Sequence, residues 1–307
     1  YRKTDEYWLI RTIQGDFETR WVVNCAGLGS VKISGMLGIH GYNLGGSKGD
    51  YIVLDKRIGH LLPMPVYPVP TTTYMGIHVT PTIGGNVIVG PNADYVDDYT
   101  YYGVTQKNIV FLAENAFALW PHIHKSDYIR NYSGIQPKWL DRQGILEDFV
   151  IEAPKEVPNT INLVGIESPG LTSALPIARR VVNLLKEHEQ LHPNKGFNPK
   201  RKGIIRFNNQ GNEVKEKLIA ENPDYGEIIC RCEGVTKAEI VQAIHNPLGV
   251  DTATGIKYRT RSMMGRCQGG YCQMRIAQII QEELNKNVTD IIYSRKESNM
   301  FVGTVRE

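Results

Sequence analysis

The hydrophobic pattern changes period several times along the chain, and each change predicts an element. Tyr7-Trp-Leu-Ile-Arg-Thr-Ile alternates, turns at Gly15-Asp16 and resumes at Thr19-Arg-Trp-Val-Val-Asn-Cys. This predicts a hairpin whose second strand becomes fully buried. The apolar run stops at Ala26-Gly27-Leu28-Gly29-Ser30, where small residues allow close backbone approach. Nothing after Gly29 opens a clear helix. Tyr51-Ile-Val-Leu, Tyr74-Met-Gly-Ile-His-Val-Thr and Asn86-Val-Ile-Val-Gly follow as a β-meander.

Helical spacing appears over residues 105–120, with Ile109, Leu112, Ala113, Ala116 and Leu119 on one face. Two strand-like runs begin at Tyr128 and Asp148. Ile161-Asn-Leu-Val-Gly-Ile reads as a buried strand that leads through Glu167-Ser-Pro-Gly into a helix from Thr172 to about Glu189. Ser168 is expected to help cap that helix. Residues 190–203 have no periodicity and many breakers, which places a domain boundary there. Three short helices are expected beyond it. The first follows the capping-box spacing Thr236-Lys-Ala-Glu239, the second covers about Thr254–Met264 and the third Gln273–Leu284.

The length of 307 residues suggests about two domains. With 41% apolar and 22% charged residues, the chain can bury a core and lacks the signature of general disorder. Mean hydropathy is −0.29. No window nears the ~18 consecutive apolar residues of a membrane-spanning helix. No secretory h-region opens the chain, so the expected location is cytoplasmic, with any membrane association through a partner. The first residue is Tyr1 rather than methionine, which predicts that the protein continues upstream.

Net charge is +3, unevenly split. Residues 1–194 hold 17 Lys and Arg against 19 Asp and Glu, whereas residues 195–307 hold 18 against 13. That is too sparse a basic patch for a nucleic-acid arm. Four of the five cysteines lie in this basic third, as Cys230-x-Cys232 and Cys267-x(4)-Cys272. Cys25 stands alone in an apolar strand and reads as a small core residue.

Two close cysteine pairs can surround one metal centre through soft thiolate donors. Disulfides are disfavoured without a secretory signal. Zinc is the alternative, but zinc ribbons use C-x(2)-C knuckles on hairpins, whereas each pair here is followed by a helix. An iron–sulfur cluster is therefore favoured. Gly265, Gly269 and Gly270 leave backbone N–H groups free to approach sulfur. Arg231, Arg259, Arg261, Arg266 and Arg275 add positive charge, and both features raise a cluster's potential.

Ile229-Cys-Arg-Cys-Glu-Gly-Val-Thr-Lys-Ala-Glu-Ile, followed by Arg259-Thr-Arg-Ser-Met-Met-Gly-Arg-Cys-Gln-Gly-Gly-Tyr-Cys, closely resembles the bacterioferritin-associated-ferredoxin-like domain. The resemblance implies a 2Fe-2S cluster with Cys230, Cys232, Cys267 and Cys272 as ligands. In the first half, Val22-Val-Asn-Cys-Ala-Gly-Leu, the run Gly76 to Ala93, Ser133-Gly-Ile-Gln-Pro-Lys and Ser168-Pro-Gly-Leu-Thr-Ser-Ala fall in order. Together these resemble the C-terminal part of FAD-dependent oxidoreductases related to D-amino-acid oxidase, nearest to glycerol-3-phosphate and L-2-hydroxyglutarate dehydrogenases.

That resemblance implies an α+β fold in three parts: a partial FAD-binding domain, an antiparallel-sheet substrate domain and a small helical iron–sulfur domain. The expected boundaries are 1–192 for the flavoprotein part, with FAD-domain portions 1–34 and 155–192 and a substrate sheet 35–154. A linker 193–224, the 2Fe-2S domain 225–290 and a tail 291–307 follow. The strand–Gly-x-Gly-x-x-Gly–helix fingerprint of the family occurs nowhere in the chain. FAD is therefore expected to bind this polypeptide weakly or not at all, and the polypeptide to be inactive by itself.

By the same resemblance, Ala26 and Gly27 lie near the FAD phosphates or ribose. Gly170, Leu171 and Thr172 contact the flavin from a helix start, where the dipole favours developing negative charge. His78 binds or deprotonates a substrate hydroxyl. Gln136 occupies the position where relatives with Gly-x-Arg-Pro hold a carboxylate or phosphate. Lys138 reads as a surface lysine. The implied activity is oxidation of glycerol 3-phosphate or a related 2-hydroxy acid, with electrons passing through the cluster to an acceptor protein docked on the arginine face. The alternatives are a zinc-binding or redox-sensing interaction module, or an amino-acid or opine oxidase subunit.

Overall fold

The structure is a computed structural model and describes residues 2–3, 7–71, 75–141 and 143–303. It forms two compact units. The first comprises Tyr1–Val53, Ile58–Lys125 and Asn131–Lys195. The second comprises Gly196–Glu307 with two short segments, Leu54–Arg57 and Ser126–Arg130.

The first unit opens with three antiparallel strands, β1 (Arg2–Lys3), β2 (Trp8–Thr12) and β3 (Gly15–Thr19). Trp8 stands opposite Thr19 and Thr12 opposite Gly15, whose φ of +130° closes the turn. The hairpin's second strand therefore ends at Thr19. The apolar run that follows becomes a separate strand, β4 (Val22–Asn24), in another sheet. Beyond it, Gly27–Gly29 forms a 3-10 turn that opens a seven-residue helix, α1 (Ser30–Met36). A helix does begin at Gly29, one too short for its periodicity to show.

The long strand β5 (Leu44–Leu54) is followed by β6 (Val79–Pro81), β7 (Val87–Val89) and β8 (Asp94–Val96). Of the expected strand at 74–80, Tyr74 lies outside the described residues, and regular pairing begins at Val79. Helix α2 (Gln106–Leu119) starts where Thr105 Oγ1 accepts from the Asn108 amide at 3.2 Å. The twelve-residue β9 (Tyr128–Trp139) then pairs with β5, giving a five-stranded sheet of order β6-β7-β5-β8 with β9 on β5. From Lys48 onward β5 buries every second residue, so Lys48 and Asp50 point inward with Ile52 and Leu54. The two buried charges pair at 2.7 Å, and Asn108 donates to the second Asp50 oxygen at 2.7 Å. Buried ions require such full partnership.

The remaining sheet has the order β10 (Val150–Glu152), β11 (Thr160–Val164), β4. Strand β11 runs antiparallel to β10 and parallel to β4, and all five of its residues are buried, the polar Asn162 accepting at Oδ1 from Asn24 Nδ2 at 2.9 Å and Ser34 Oγ at 3.1 Å. Helix α3 (Ala174–Lys186) follows a turn over 168–173. It begins two residues later than its periodicity suggests, with Ser173 rather than Ser168 at its N-cap position and no side-chain capping bond. No residue of α3 is buried.

In the second unit, helix α4 (Asn212–Glu221) lies in the stretch expected as linker. Phe207 and Leu218 from that stretch form a small core with Tyr225 and Ala238. A hairpin of β12 (Ile228–Cys230) and β13 (Val235–Thr236) leads into α5 (Lys237–Ile244) through the complete capping box of Thr236 and Glu239. Helices α6 (Ala253–Thr260) and α7 (Gln273–Leu284) complete the cluster. Ile229, Ile240, Ile244, Ile256, Ile276, Ile279 and Ile280 form one core with Cys230 and Cys272. Ile291, from the expected tail, is fully buried in it, and Met300 and Phe301 pack against it. Among the described residues no helix is long and apolar enough to cross a membrane.

Candidate functional site

The four C-terminal cysteines converge, and they do so as two pairs. Cys232 and Cys267 bring their sulfurs to 3.6 Å, and the Cys272 thiol donates to Cys230. Two thiolates bound at 2.3 Å to one tetrahedral ion stand about 3.8 Å apart, so the first pair already has ligand spacing. A two-iron cluster needs two cysteines at each iron, and the two pairs fit that need.

Local backbone explains the convergence. Cys230 ends β12, and Cys232 follows in a turn that passes through Gly234 at φ +64°. Met263, Gln268 and Gly269 also take positive φ and fold the second loop over the first. A Cβ added at Gly265 would meet the Cys232 Cβ at 2.2 Å, so glycine is required for the loops to touch. The loops also aim amides at sulfur. The amides of Met263 and Glu233 donate to Cys230, and those of Tyr271 and Gly269 to Cys267. Such bonds stabilise thiolates and raise a cluster's potential.

The thiols split accordingly. Cys272's hydrogen bond and the loop amides pull Cys230 down to about 6 against burial. Cys272 moves up because it donates to Cys230 and is buried. The amides of Tyr271 and Gly269 lower Cys267. Cys232 receives the Cys267 amide, yet burial and the neighbouring sulfur hold it up. Cys230 and Cys272 are buried, while Cys267 is exposed and Cys232 partly so. One pair is therefore internal and the other faces outward.

The arginines around the cysteines are more engaged than a bare docking face. Arg261 bonds Glu233 at 3.1 Å and Arg266 bonds Asp55 at 2.7 Å. The Arg231 guanidinium lies over the Tyr271 ring, 4.4 Å from its centroid. Arg275 bonds Glu227 at 2.9 Å, and Arg259 donates to the Gly255 carbonyl at 3.2 Å. Much of their charge is offset locally.

In the first unit, Gly27 and Gly170 line one apolar cavity of about 540 Å³ together with Val23, Cys25, Leu163, Ile166 and the face of α3 that carries Ala174, Ile177, Ala178, Val181 and Val182. Cys25 is exposed on this cavity, because β4 ends one residue before it; it is not a core residue. Ala26 is exposed beside it, with its amide on Asn24 Oδ1 at 3.2 Å. Gly170, Leu171 and Thr172 lie in the turn before α3 rather than in its first helical turn. The Gly170 amide is taken by Glu167 O at 2.5 Å, and Thr172 Oγ1 donates to Pro169 O at 2.9 Å. The lining suits a planar apolar ring system and supplies no cationic side chain for a pyrophosphate.

His78 directly precedes β6, its ring 4.9 Å from that of Tyr67. Its Nε2 is buried without a hydrogen-bond partner among the described residues. Gln136 is exposed on β9, with β7 and β5 between it and β6 in the sheet. Lys138 is no free surface lysine: it is largely buried and paired with Glu167, which is buried to the same degree. Sequence reasoning missed this pair because the residues lie 29 apart and only the fold joins them.

The fold and the paired thiols define a class. The profile of the family described as FAD dependent oxidoreductase matches residues 2–184, and the chain belongs to that family. A second profile, the BFD-like 2Fe-2S binding domain, matches residues 228–282 and contains all four cysteines. Glycerol 3-phosphate dehydrogenase of Caloramator mitchellensis is 34% identical over 305 residues, covering 99% of this chain and 62% of that protein. Mitochondrial L-2-hydroxyglutarate dehydrogenase of Mus musculus is 28% identical over 215 residues, covering 57% of this chain and 46% of that protein. The glycerol-3-phosphate dehydrogenase structure from Bacillus halodurans, complexed with FAD, shares the fold with a TM-score of 0.62 at 16% identity, covering 88% of this chain and 59% of that one. The chain thus spans less than two thirds of each of these relatives.

Proposed function

We propose that this chain is part of an FAD-dependent dehydrogenase that, at full length, oxidises glycerol 3-phosphate or a related 2-hydroxy acid and passes the electrons through a 2Fe-2S cluster to an acceptor protein. The observation that carries the reading is the pair of thiol pairs in a chain whose other half belongs to the FAD-dependent oxidoreductases. Bound FAD supplies a two-electron acceptor, and a 2Fe-2S centre supplies a one-electron carrier. Cys230 with Cys272 would hold the inner iron, and Cys232 with Cys267 the outer one.

The remaining roles belong to the first unit. Ala26 and Gly27 face the cofactor's phosphate or ribose, and Gly170, Leu171 and Thr172 face its ring. His78 takes the proton of the substrate hydroxyl at Nε2, the buried nitrogen with no hydrogen-bond partner among the described residues. Gln136 orients the substrate as a neutral amide. Glu167 neutralises Lys138, so that lysine gives the substrate no free cation.

The test is substrate-driven reduction of the cluster. The full-length enzyme that contains this chain is purified anaerobically with FAD and given glycerol 3-phosphate or L-2-hydroxyglutarate, and the reduced-cluster signal is read by electron paramagnetic resonance. A rhombic signal that grows with substrate is expected. A cluster that dithionite reduces and neither substrate does sinks the reading. His78→Gln is expected to slow substrate-driven reduction roughly 10²–10⁴-fold and leave the dithionite-reduced signal intact.

A further inference from the structure

The second unit brings a lysine to the outer cysteine pair from far away in sequence. Lys56, in the Leu54–Arg57 segment, donates from Nζ to the backbone carbonyl of Cys232 at 3.0 Å and to Glu233 Oε1 at 3.3 Å. The Glu233 side chain is only 6% exposed, and its other oxygen accepts from Arg261 Nε at 3.1 Å. A buried anion next in sequence to a ligand cysteine is thus held between two cations. The neighbouring Asp55 accepts from Arg266 Nη1 at 2.7 Å, beside Cys267 in sequence. Residues 55 and 56 therefore tie both loops of the outer pair.

Stability alone is a poor account of this arrangement. The Lys56 side chain is 42% exposed, and exposed ion pairs contribute little. Charge beside an iron–sulfur centre, by contrast, acts directly on its reduction potential. Without Lys56, the Glu233 carboxylate faces one cation instead of two, and the net charge next to Cys232 becomes more negative.

We propose that Lys56 is a positioning residue that raises the potential of the cluster by offsetting Glu233 and polarising the Cys232 carbonyl. This rests on the cluster reading of the four cysteines and adds a residue outside the cysteine motif that tunes it. The couple is one electron added to the oxidised cluster, supplied by dithionite in the test, with no bond made or broken.

The experiment is a potentiometric titration of the anaerobically purified chain followed by electron paramagnetic resonance, with iron content determined. At the wild-type midpoint, K56M is expected to lower the reduced-to-oxidised ratio about tenfold, which is about 59 mV for one electron. K56R stays within twofold of wild type, E233Q rises above it, and the K56M/E233Q double variant returns to within twofold. The inference is overturned if K56M matches wild type, if K56R falls as far as K56M, or if the double variant does. Should K56M fail to hold iron, E233Q and the double variant decide, and an E233Q potential at or below wild type overturns it. A wild-type chain with neither iron nor signal overturns the cluster reading itself and this inference with it. A normal signal with an indifferent potential overturns this inference alone.

Discussion

In the C-terminal unit Ile256, Ile276, Ile279 and Ile280 are fully buried in one cluster. In α3 of the first unit no residue is buried, and Leu175 is 74% exposed, with Leu171 just before the helix at 94%. Both regions have helices with well-marked apolar faces. In one, three helices and a hairpin close over each other, and two of the four thiols are part of the core itself. In the other, the apolar face of α3 borders an open cavity next to β4, which ends its sheet among the described residues. A redox centre needs ligands fixed to within fractions of an ångström, and a self-contained core provides that. A planar organic cofactor or another protein element needs apolar surface left open, and the first unit provides that.

The sharpest way to break this comparison is to remove a buried thiol. Cys272→Ser is expected to abolish the 2Fe-2S absorbance and the reduced-state signal, with iron falling to none per chain. Retention of a two-iron signal would show that the inner pair is not a ligand pair. Packing gives the next largest contrast. Ile276→Ala is expected to cost about 3 kcal/mol in urea unfolding of its unit. Leu175→Ala should change stability by no more than about 0.5 kcal/mol. Equal effects would mean that the α3 face is covered after all.

A smaller effect tests the electrostatics of the closed unit. Lys257 is 4% exposed, and burial, with Arg130 nearby, lowers its pKa to about 8. A lowered lysine means that the folded state holds the proton less tightly than the unfolded state. The penalty is therefore full below pH 8 and disappears as pH rises from about 8 toward 10.5. K257M is expected to stabilise the unit by roughly 1–3 kcal/mol at pH 7, with no gain above pH 10.5. Urea midpoints across that range decide it, and a destabilised K257M would assign the buried ammonium a partner that matters.

Much of the closed unit was legible in sequence. The Thr236–Glu239 capping box, the face of α7 and the cysteine spacing are all local signals, and each appears where its spacing predicts. Residues 207–225 and 291–301 were not legible as parts of that unit. Phe207, Leu218, Ile291 and Phe301 are isolated apolar residues among polar ones, and only packing shows that they finish a core. In the first unit, β11 was plain from Ile161, Leu163 and Val164. Helix α1 was not, because seven residues carry too little periodicity, and the exposure of Cys25 turned on where β4 stops.

The sequence alone determined the types of the longer periodic elements, the clustering of four thiols into a metal-binding motif and the likeness to a flavoprotein, because these rest on spacing within short windows. Tertiary structure decided how the thiols divide into an inner and an outer pair and how Glu167 occupies Lys138. It also decided that Lys56 reaches Cys232 across 176 residues. Each of these joins groups distant along the chain, where burial and charge partnership are set by the fold and leave no mark on local pattern.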